Sequence, residues 1–441
     1  MPDLPHVVIL GGGFGGLNAA RALRRAPVRV TLIDRRNHHL FQPLLYQVAT
    51  AALNPGDIAY PIRSVLRGQP NARTLLGRAE RIDVENRRVV LADGVVDYDY
   101  LVVATGATHS YFGNDGWEPW APGLKSVEDA LEIRRRVLSA FEAAEREPDP
   151  AHVAELLTFV IVGAGPTGVE LAGALSEIGR HTVARDFRTF DPASLRVLLL
   201  EGADRVLPGF PPDLSAKAAS QLDRLGVEVR TSARVTEIDA RGVSIGDERV
   251  AARTVLWGAG VQASPLGASL GAPTDRAGRV RVEPDLTVPG HPEVFVIGDL
   301  MHLEQAGEPV PGIAPAAIQS GKYVAKAIRA RIRGERPKPF RYFDKGALAT
   351  IGRAAAVARI GRLHIAGFVA WWLWWLIHVA YLIGFRNRLV VMLGWAWQYF
   401  AFSRGARLIT GRAWEPGAAG RAEVPGVKGG KSPEPEQPSR R

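Results

Sequence analysis

The chain carries the same unit twice, and that unit fixes most of what it can fold into. A short apolar run at His6–Leu10 leads into Gly11-x-Gly13-x-x-Gly16. A helical pattern follows over 17–25, then a second apolar run over 29–34 that ends in Asp34. The order returns at 157–162, Gly163-x-Gly165-x-x-Gly168, a helical pattern over 169–179, and a run over 196–201 ending in Glu201. Short apolar runs bounded by glycine turns read as buried parallel strands. Between strand and helix, the first glycine makes the tight turn and the second lets backbone approach a pyrophosphate. The third allows the helix to pack closely on the sheet. The helix N-terminus then faces the phosphates. The expected fold class is therefore α/β, with two Rossmann-like dinucleotide-binding domains.

Two such units imply two nucleotides, FAD in the first and NADH in the second, unless the second copy is only a structural duplicate. A carboxylate at Glu201 can accept from both ribose hydroxyls and would repel a 2′-phosphate, which favours NADH over NADPH. Further strands run over 99–106, closing on Ala104, Thr105 and Gly106, and over 254–260, leaving through Gly258 and Gly260. Another covers 293–299 and ends at Gly298 and Asp299. That aspartate can hydrogen-bond a ribityl chain or cap a helix. Helices are expected over 126–146 and 316–333, with a loop over 307–315 and a linker over 334–339. Glu170, just past Gly168, can stabilise a helix N-terminus or place a carboxylate close to a nicotinamide.

Composition removes whole classes of chemistry. There is no cysteine, so disulfides, thiol nucleophiles, iron–sulfur ligation and any flavoenzyme that needs a redox-active thiol are excluded. The ten histidines show no H-E-x-x-H or comparable spacing, and no metal is expected. Gly267-x-Ser269-x-Gly271 has the nucleophile-elbow spacing, but loop-like residues precede it where a strand is required, so an esterase is set aside.

Charge is concentrated at one end. The net charge is +10, and residues 341–441 account for all of it, with fifteen Lys and Arg against five Asp and Glu. Within 341–410 nine basic residues face one acid, Asp344, alongside Trp371, Trp372, Trp374, Trp375, Trp395 and Trp397. These aromatics sit in apolar runs rather than along a hydrophilic groove, which argues against nucleic acid and for an anionic membrane surface. Residues 365–385 and 389–403 are uncharged. Taken alone, the first is long enough to span a bilayer. Interfacial helices and burial in a core are the competing readings. Only a few residues precede the first apolar run, with no cleavable leader, so the cytoplasmic side is expected. The chain beyond 411 is rich in Gly, Pro, Ser and charge and is expected to be a disordered basic tail.

These residues resemble one family closely, the type II, non-proton-pumping NADH:quinone oxidoreductases. The resemblance is carried by 11–16, 41–50, 101–106, 159–171, 294–299, 344–353 and 381–388, and it covers about 5–402. It implies a discontinuous FAD domain (1–125 and 276–340) with the NAD(H) domain (126–275) inserted. A membrane-association module (341–410) and the tail (411–441) follow. It also implies a monotopic, peripheral enzyme of the cell membrane in respiratory electron transport. Hydride would pass from NADH to FAD and two electrons to ubiquinone or menaquinone, without proton pumping. The same resemblance argues against a true span at 365–385 and leaves homodimerisation open. Glu170 matches the family glutamate near the nicotinamide, and Gln319 lies on a helix beside the implied quinone pocket; these two are the catalytic candidates. The cofactor-binding set comprises Gly11, Gly13, Phe14, Gly15, Gly16, Asp34 and Arg35, then Gln42, Pro43, Leu44 and Gln47, which also approach the quinone pocket. It continues with Ala79, Ala104, Thr105, Gly106, Gly163, Gly165, Pro166, Thr167, Gly168 and Glu201. Gly258, Gly260, Gly298, Asp299, Ala316 and Ala317 complete it. Many members carry Gln four residues before the position of Gln319, where this chain has Pro315, so a side-chain donor is missing there. A soluble reductase serving a ferredoxin-type acceptor, and a non-catalytic sensor that binds NADH and FAD, are the alternatives.

Overall fold

The computed structural model describes residues 4–179, 186–383, 385–401 and 406–410. The expected basic tail at 411–441 lies outside them. Strand β1 (His6–Leu10) runs into helix α1 (Phe14–Ala22), and β2 (Arg29–Asp34) follows. After the short helix α2 (Leu45–Ala49) come β3 (Ala72–Leu76) and β4 (Tyr100–Val103). Residues Val7–Leu10 and Leu101–Val103 are almost wholly buried, as expected of parallel strands covered on both faces. Helix α3 (Val127–Ala144) begins at a capping box: Ser126 Oγ accepts from the Asp129 N–H at 3.1 Å, and Asp129 Oδ2 accepts from the Ser126 N–H at 2.9 Å. Reciprocal bonds of this kind satisfy two of the donors that a helix start leaves orphaned.

The second half repeats the first. Strand β5 (Thr158–Val162), helix α4 (Pro166–Glu177), β6 (Arg196–Leu200), β7 (Val227–Arg230) and β8 (Thr254–Trp257) form a four-stranded parallel sheet in the order β7-β6-β5-β8. Each half also carries a three-stranded antiparallel meander before its last strand from the glycine unit. One is Ala79–Asp83, Arg88–Leu91 and Gly94–Asp97; the other is Val235–Asp239, Gly242–Ile245 and Glu248–Ala251. The chain then returns to the first sheet. Strands β9 (Thr287–Val288) and β10 (His291–Val296) complete the order β9-β10-β4-β1-β2-β3, with β10 parallel to β4. Helix α5 (Ala314–Ile332) packs on α1. The approach is close: a Cβ on Gly321 would lie 2.2 Å from the Gly15 carbonyl oxygen.

A third module ends the described chain. Strands β11 (Ala347–Gly352), β12 (Ala355–Ile360) and β13 (Leu363–Ala366) form an antiparallel sheet, followed by α6 (Phe368–Tyr381) and α7 (Phe385–Ala401). The uncharged run at 365–385 is therefore not one helix. It begins at the end of β13, and its helix has 14 residues, about 21 Å at 1.5 Å per residue against about 30 Å of bilayer hydrocarbon. Among the described residues no helix is long and apolar enough to cross a membrane. The sheet docks on α4, where a Cβ on Gly173 would fall 1.6 Å from the Ile351 carbonyl oxygen. Arg353 N–H donates to Glu177 Oε1 at 2.5 Å beside it. Ala370 and Trp374 of α6 are buried, whereas Phe368, Val369, Trp372 and Leu376 are exposed, as are Leu389 and Leu393 of α7. One difference from the sequence reading lies elsewhere, and one exclusion is matched. The 307–315 loop contains the short strand Glu308–Pro309 and the start of α5. Ser269 sits in a 3-10 helix, Pro265–Leu270, and donates to the Leu266 carbonyl at 2.7 Å. That geometry is not a nucleophile elbow.

Candidate functional site

The two glycine loops are built alike, and each glycine does a separate job. Gly11 and Gly163 hold φ of +100° and +98°, which L side chains rarely adopt. A Cβ on Gly11 would lie 2.4 Å from the Ala104 carbonyl oxygen, and one on Gly163 would lie 2.5 Å from Ala259 N. Gly16 and Gly168 are where helix meets strand: a Cβ there would fall 1.9 and 1.8 Å from the Gly11 and Gly163 carbonyl oxygens. At Gly13 and Gly165 an added Cβ meets nothing within 4 Å. These middle positions open to the outside, where a pyrophosphate can approach the backbone at a helix start.

The acids closing the second strands match as well. Asp34 accepts from Gly12 N–H at 2.5 Å through one oxygen and from Arg36 N–H at 2.7 Å through the other. Glu201 accepts from Ala164 N–H at 2.6 Å and from Ala203 N–H at 2.9 Å. Each carboxylate is clamped by two backbone donors, and its remaining lone pairs are free to accept from ribose hydroxyls. Arg35, next to Asp34, is exposed.

Around the first loop the chain brings distant segments together. Gly15 and Gly298 both approach Ala317, on the first turn of α5, at 3.4 Å from its carbonyl oxygen and Cβ respectively, measured from the Cβ each glycine lacks. Phe14 begins α1, and Ala316 is buried beside Ala317. Thr105, between Ala104 and Gly106, has a buried Oγ1 with no partner. Such an atom in an open cradle suits a bound polar group, because a buried hydroxyl left unpaired is costly. Asp299 follows Gly298 in a 3-10 turn. Burial pushes its carboxyl pKa up, against the attraction of Lys125. The Lys125 ammonium is itself pushed down by burial, with Asp299 opposing. Sequence reasoning missed Lys125, since a single lysine at the end of a loop carries no pattern. Ala79 begins the first meander, two residues after Gly77, whose N–H donates to the Asp34 carbonyl at 2.9 Å.

Gln42, Pro43 and Leu44 form a 3-10 turn leading into α2, which contains buried Gln47. Gln42 Nε2 donates to the Lys125 carbonyl at 3.3 Å. Buried Arg134 of α3 holds the segment from below, donating to the Val48 and Leu53 carbonyls at 2.8 and 2.7 Å. Gln319 uses its amide on Phe343, donating to the carbonyl and accepting from the N–H, both at 2.9 Å.

In the second half, Pro166 and Thr167 open α4; Gly258 leaves β8 close to the Gly163 carbonyl, and Gly260 follows against Phe112 and the Ser110 carbonyl. Glu170 lies on the same turn and faces β11. Burial pushes its carboxyl up to about 8, with only the backbone of Thr350 favouring the charged form. The His378 ring, on α6, is pushed down to about 4 by burial. No cluster of metal-ligating side chains occurs among the described residues. The matched clamps generate one prediction. Asp34→Ala lowers FAD retention and Glu201→Ala lowers NADH affinity, each about tenfold, since a clamped charged acceptor contributes roughly 1.5–3 kcal/mol. Equilibrium dialysis for FAD and titration calorimetry for NADH check this; a variant that loses both nucleotides equally contradicts two independent cradles.

Comparison with known proteins extends the geometry. A family profile, pyridine nucleotide-disulphide oxidoreductase, matches residues 5–321. The type II NADH:quinone oxidoreductases Ndh and NdhA of Mycobacterium tuberculosis are 48% and 49% identical, covering 93% and 92% of this chain and 91% and 89% of theirs. The structure of NDH2 from Plasmodium falciparum in complex with NADH has the same fold, with TM-score 0.84 at 19% identity over 92% of this chain and 100% of that one. The sulfide:quinone oxidoreductase of Aquifex aeolicus shares it at TM-score 0.70 and 20% identity, over 90% and 96%. With no cysteine for a redox disulfide, a doubled dinucleotide cradle and nearly half its residues identical over almost the full length, the chain belongs to the type II NADH:quinone oxidoreductases within the pyridine nucleotide-disulphide oxidoreductase family.

Proposed function

We propose that the protein oxidises NADH and reduces a membrane quinone, with FAD in the first cradle and NADH in the second. The observation that carries this is the pair of matched cradles, each with an open middle glycine and a clamped carboxylate. FAD, when bound, supplies the carrier chemistry that takes a hydride from a nicotinamide and passes two electrons to a quinone. The chain does the rest. Asp34 and Glu201 hold the riboses, Thr105 and Asp299 offer polar groups in the first cradle, and the starts of α1 and α4 face the phosphates. The residues assigned to quinone, Gln42, Gln47 and Gln319, lie between the first cradle and the terminal module.

Attachment to an anionic membrane surface, as a peripheral protein on the cytoplasmic side, completes the reading. The exposed Phe368, Val369, Trp372, Leu376, Leu389 and Leu393 support it, because an apolar patch of this kind marks a contact surface. Exposed Arg388 in the same segment supplies positive charge. That face also separates this reading from a soluble reductase, which has no use for it. Purified protein sediments with phosphatidylglycerol vesicles and oxidises NADH when the vesicles contain quinone. Trp372→Glu combined with Leu393→Glu weakens sedimentation and quinone-linked turnover together. Turnover with a ferredoxin but not with quinone would contradict the proposal.

Glu170 supplies a pH signature. A carboxyl whose native pKa is about 8, against 4.5 in an ordinary setting, keeps its proton at neutral pH. The native state then binds one more proton than the unfolded state between those values. Stability therefore falls as pH rises from 4.5 towards 8 and is level above it. Glu170→Gln flattens that decline in the melting midpoint. It also slows quinone-linked NADH oxidation by about tenfold or more, because the amide has no proton to exchange. Identical pH slopes, or full turnover in the variant, would remove Glu170 from this role.

A further inference from the structure

A continuous set of rings joins the first glycine loop to the exposed apolar face. Phe14 lies edge-on to Phe41 with centroids 5.7 Å apart, and Phe41 lies edge-on to His378 at 6.1 Å. His378 stacks on Trp374 at 4.3 Å, and Trp374 packs on Trp395 at 5.4 Å. Trp372 and Leu376, on the same helix as Trp374, are exposed. A flat apolar ring entering from that face towards the first cradle would pass along this set.

Most polar groups along the route are already used. Gln47 accepts from Trp395 Nε1 at 2.6 Å and donates to the Tyr46 hydroxyl at 2.9 Å. Gln319 is paired both ways with Phe343. Pro315, at the start of α5, has no side-chain donor. His378 Nδ1 donates to the Trp374 carbonyl at 2.6 Å, which orients its ring. Among the described residues, one donor on this route is left over. Trp374 is 2% exposed, and its indole Nε1 is buried with no hydrogen-bond partner. An indole N–H can only donate, and buried donors in native proteins nearly always find an acceptor. A missing acceptor set among stacked rings has the chemistry of a carbonyl oxygen on a flat conjugated ring. A quinone and the flavin ring both offer one.

We propose that the Trp374 indole N–H binds a carbonyl oxygen of the quinone, with His378 as the positioning residue that fixes the indole through the Trp374 carbonyl and the stacked ring. The inference rests on the quinone-reductase reading above. It gives the acceptor a donor on the membrane-facing helix rather than on α5.

The test uses full-length, FAD-loaded protein in detergent, NADH and a short-chain ubiquinone analogue. Trp374→Phe keeps a ring and removes the N–H. It raises the KM for the analogue severalfold and weakens its equilibrium binding to the oxidised protein by the same factor. The flavin absorption spectrum, FAD affinity and the anaerobic rate of flavin reduction by NADH do not move. His378→Leu gives a smaller rise in KM, and His378→Gln, which keeps a donor for the Trp374 carbonyl, restores it. An unchanged KM and binding constant in Trp374→Phe overturns the inference. A shifted flavin spectrum with lowered FAD affinity also overturns it, by assigning the N–H to the flavin ring. Failure of the unaltered protein to reduce any quinone is a different result, and it removes the functional reading itself.

Discussion

Everything in this molecule depends on a helix resting directly on the carbonyl of the strand that feeds it. At Gly16 on Gly11, and again at Gly168 on Gly163, the contact leaves no room for even one methyl group. That contact aims the first N–H groups of α1 and α4 past the sheet edge, beside the middle glycines at 13 and 165. In the proposed function, positive potential at the helix starts and the clamped acids at 34 and 201 then define phosphate and ribose positions. Any side chain at Gly16 or Gly168 would lift the helix and erase all three at once. The same reliance on missing Cβ atoms recurs where parts of the chain meet. Gly321 lets α5 lie against α1, and Gly173 lets β11 seat on α4. The second contact matters for chemistry, because it sets the Thr350 backbone of β11 against Glu170, where it favours the charged form while burial pushes the carboxyl pKa up.

The fold was legible to the extent that it is written in local pattern. The strands at His6–Leu10 and Arg29–Asp34 and the helix over 127–144 stand where apolar runs and a capping Ser126 place them. The glycine spacing named the turns. What was not legible is antiparallel and non-local. The two meanders and the sheet β11–β13 are made of short strands with mixed burial, such as Glu248–Ala251, whose pattern is no stronger than that of a loop. The uncharged run at 365–385 reads as one stretch, yet Ile365 and Ala366 belong to a strand and α6 takes up only Phe368–Tyr381. Hydropathy cannot see that break, because strand and helix residues there are equally apolar.

At the site, the legible residues are those whose position is fixed by backbone geometry: the glycines, Asp34 and Glu201. The residues that sequence could not single out act through surroundings brought from elsewhere. Lys125 matters because Asp299, far along the chain, approaches it. His378 and Trp374 matter because α6 folds back over the 41–47 segment. The glutamines illustrate the converse. Gln47 and Gln319 look like free donors in the sequence, but Trp395, Tyr46 and the Phe343 backbone already engage them.

The most direct measurement is an anaerobic titration of the purified protein followed by flavin absorbance. Two separate nucleotide cradles serving one carrier require that about one equivalent of NADH bleaches the flavin band, and that about one equivalent of quinone then restores it. A protein that isolates without flavin and cannot be reconstituted with it, or one whose flavin stays coloured in excess NADH, would contradict the account.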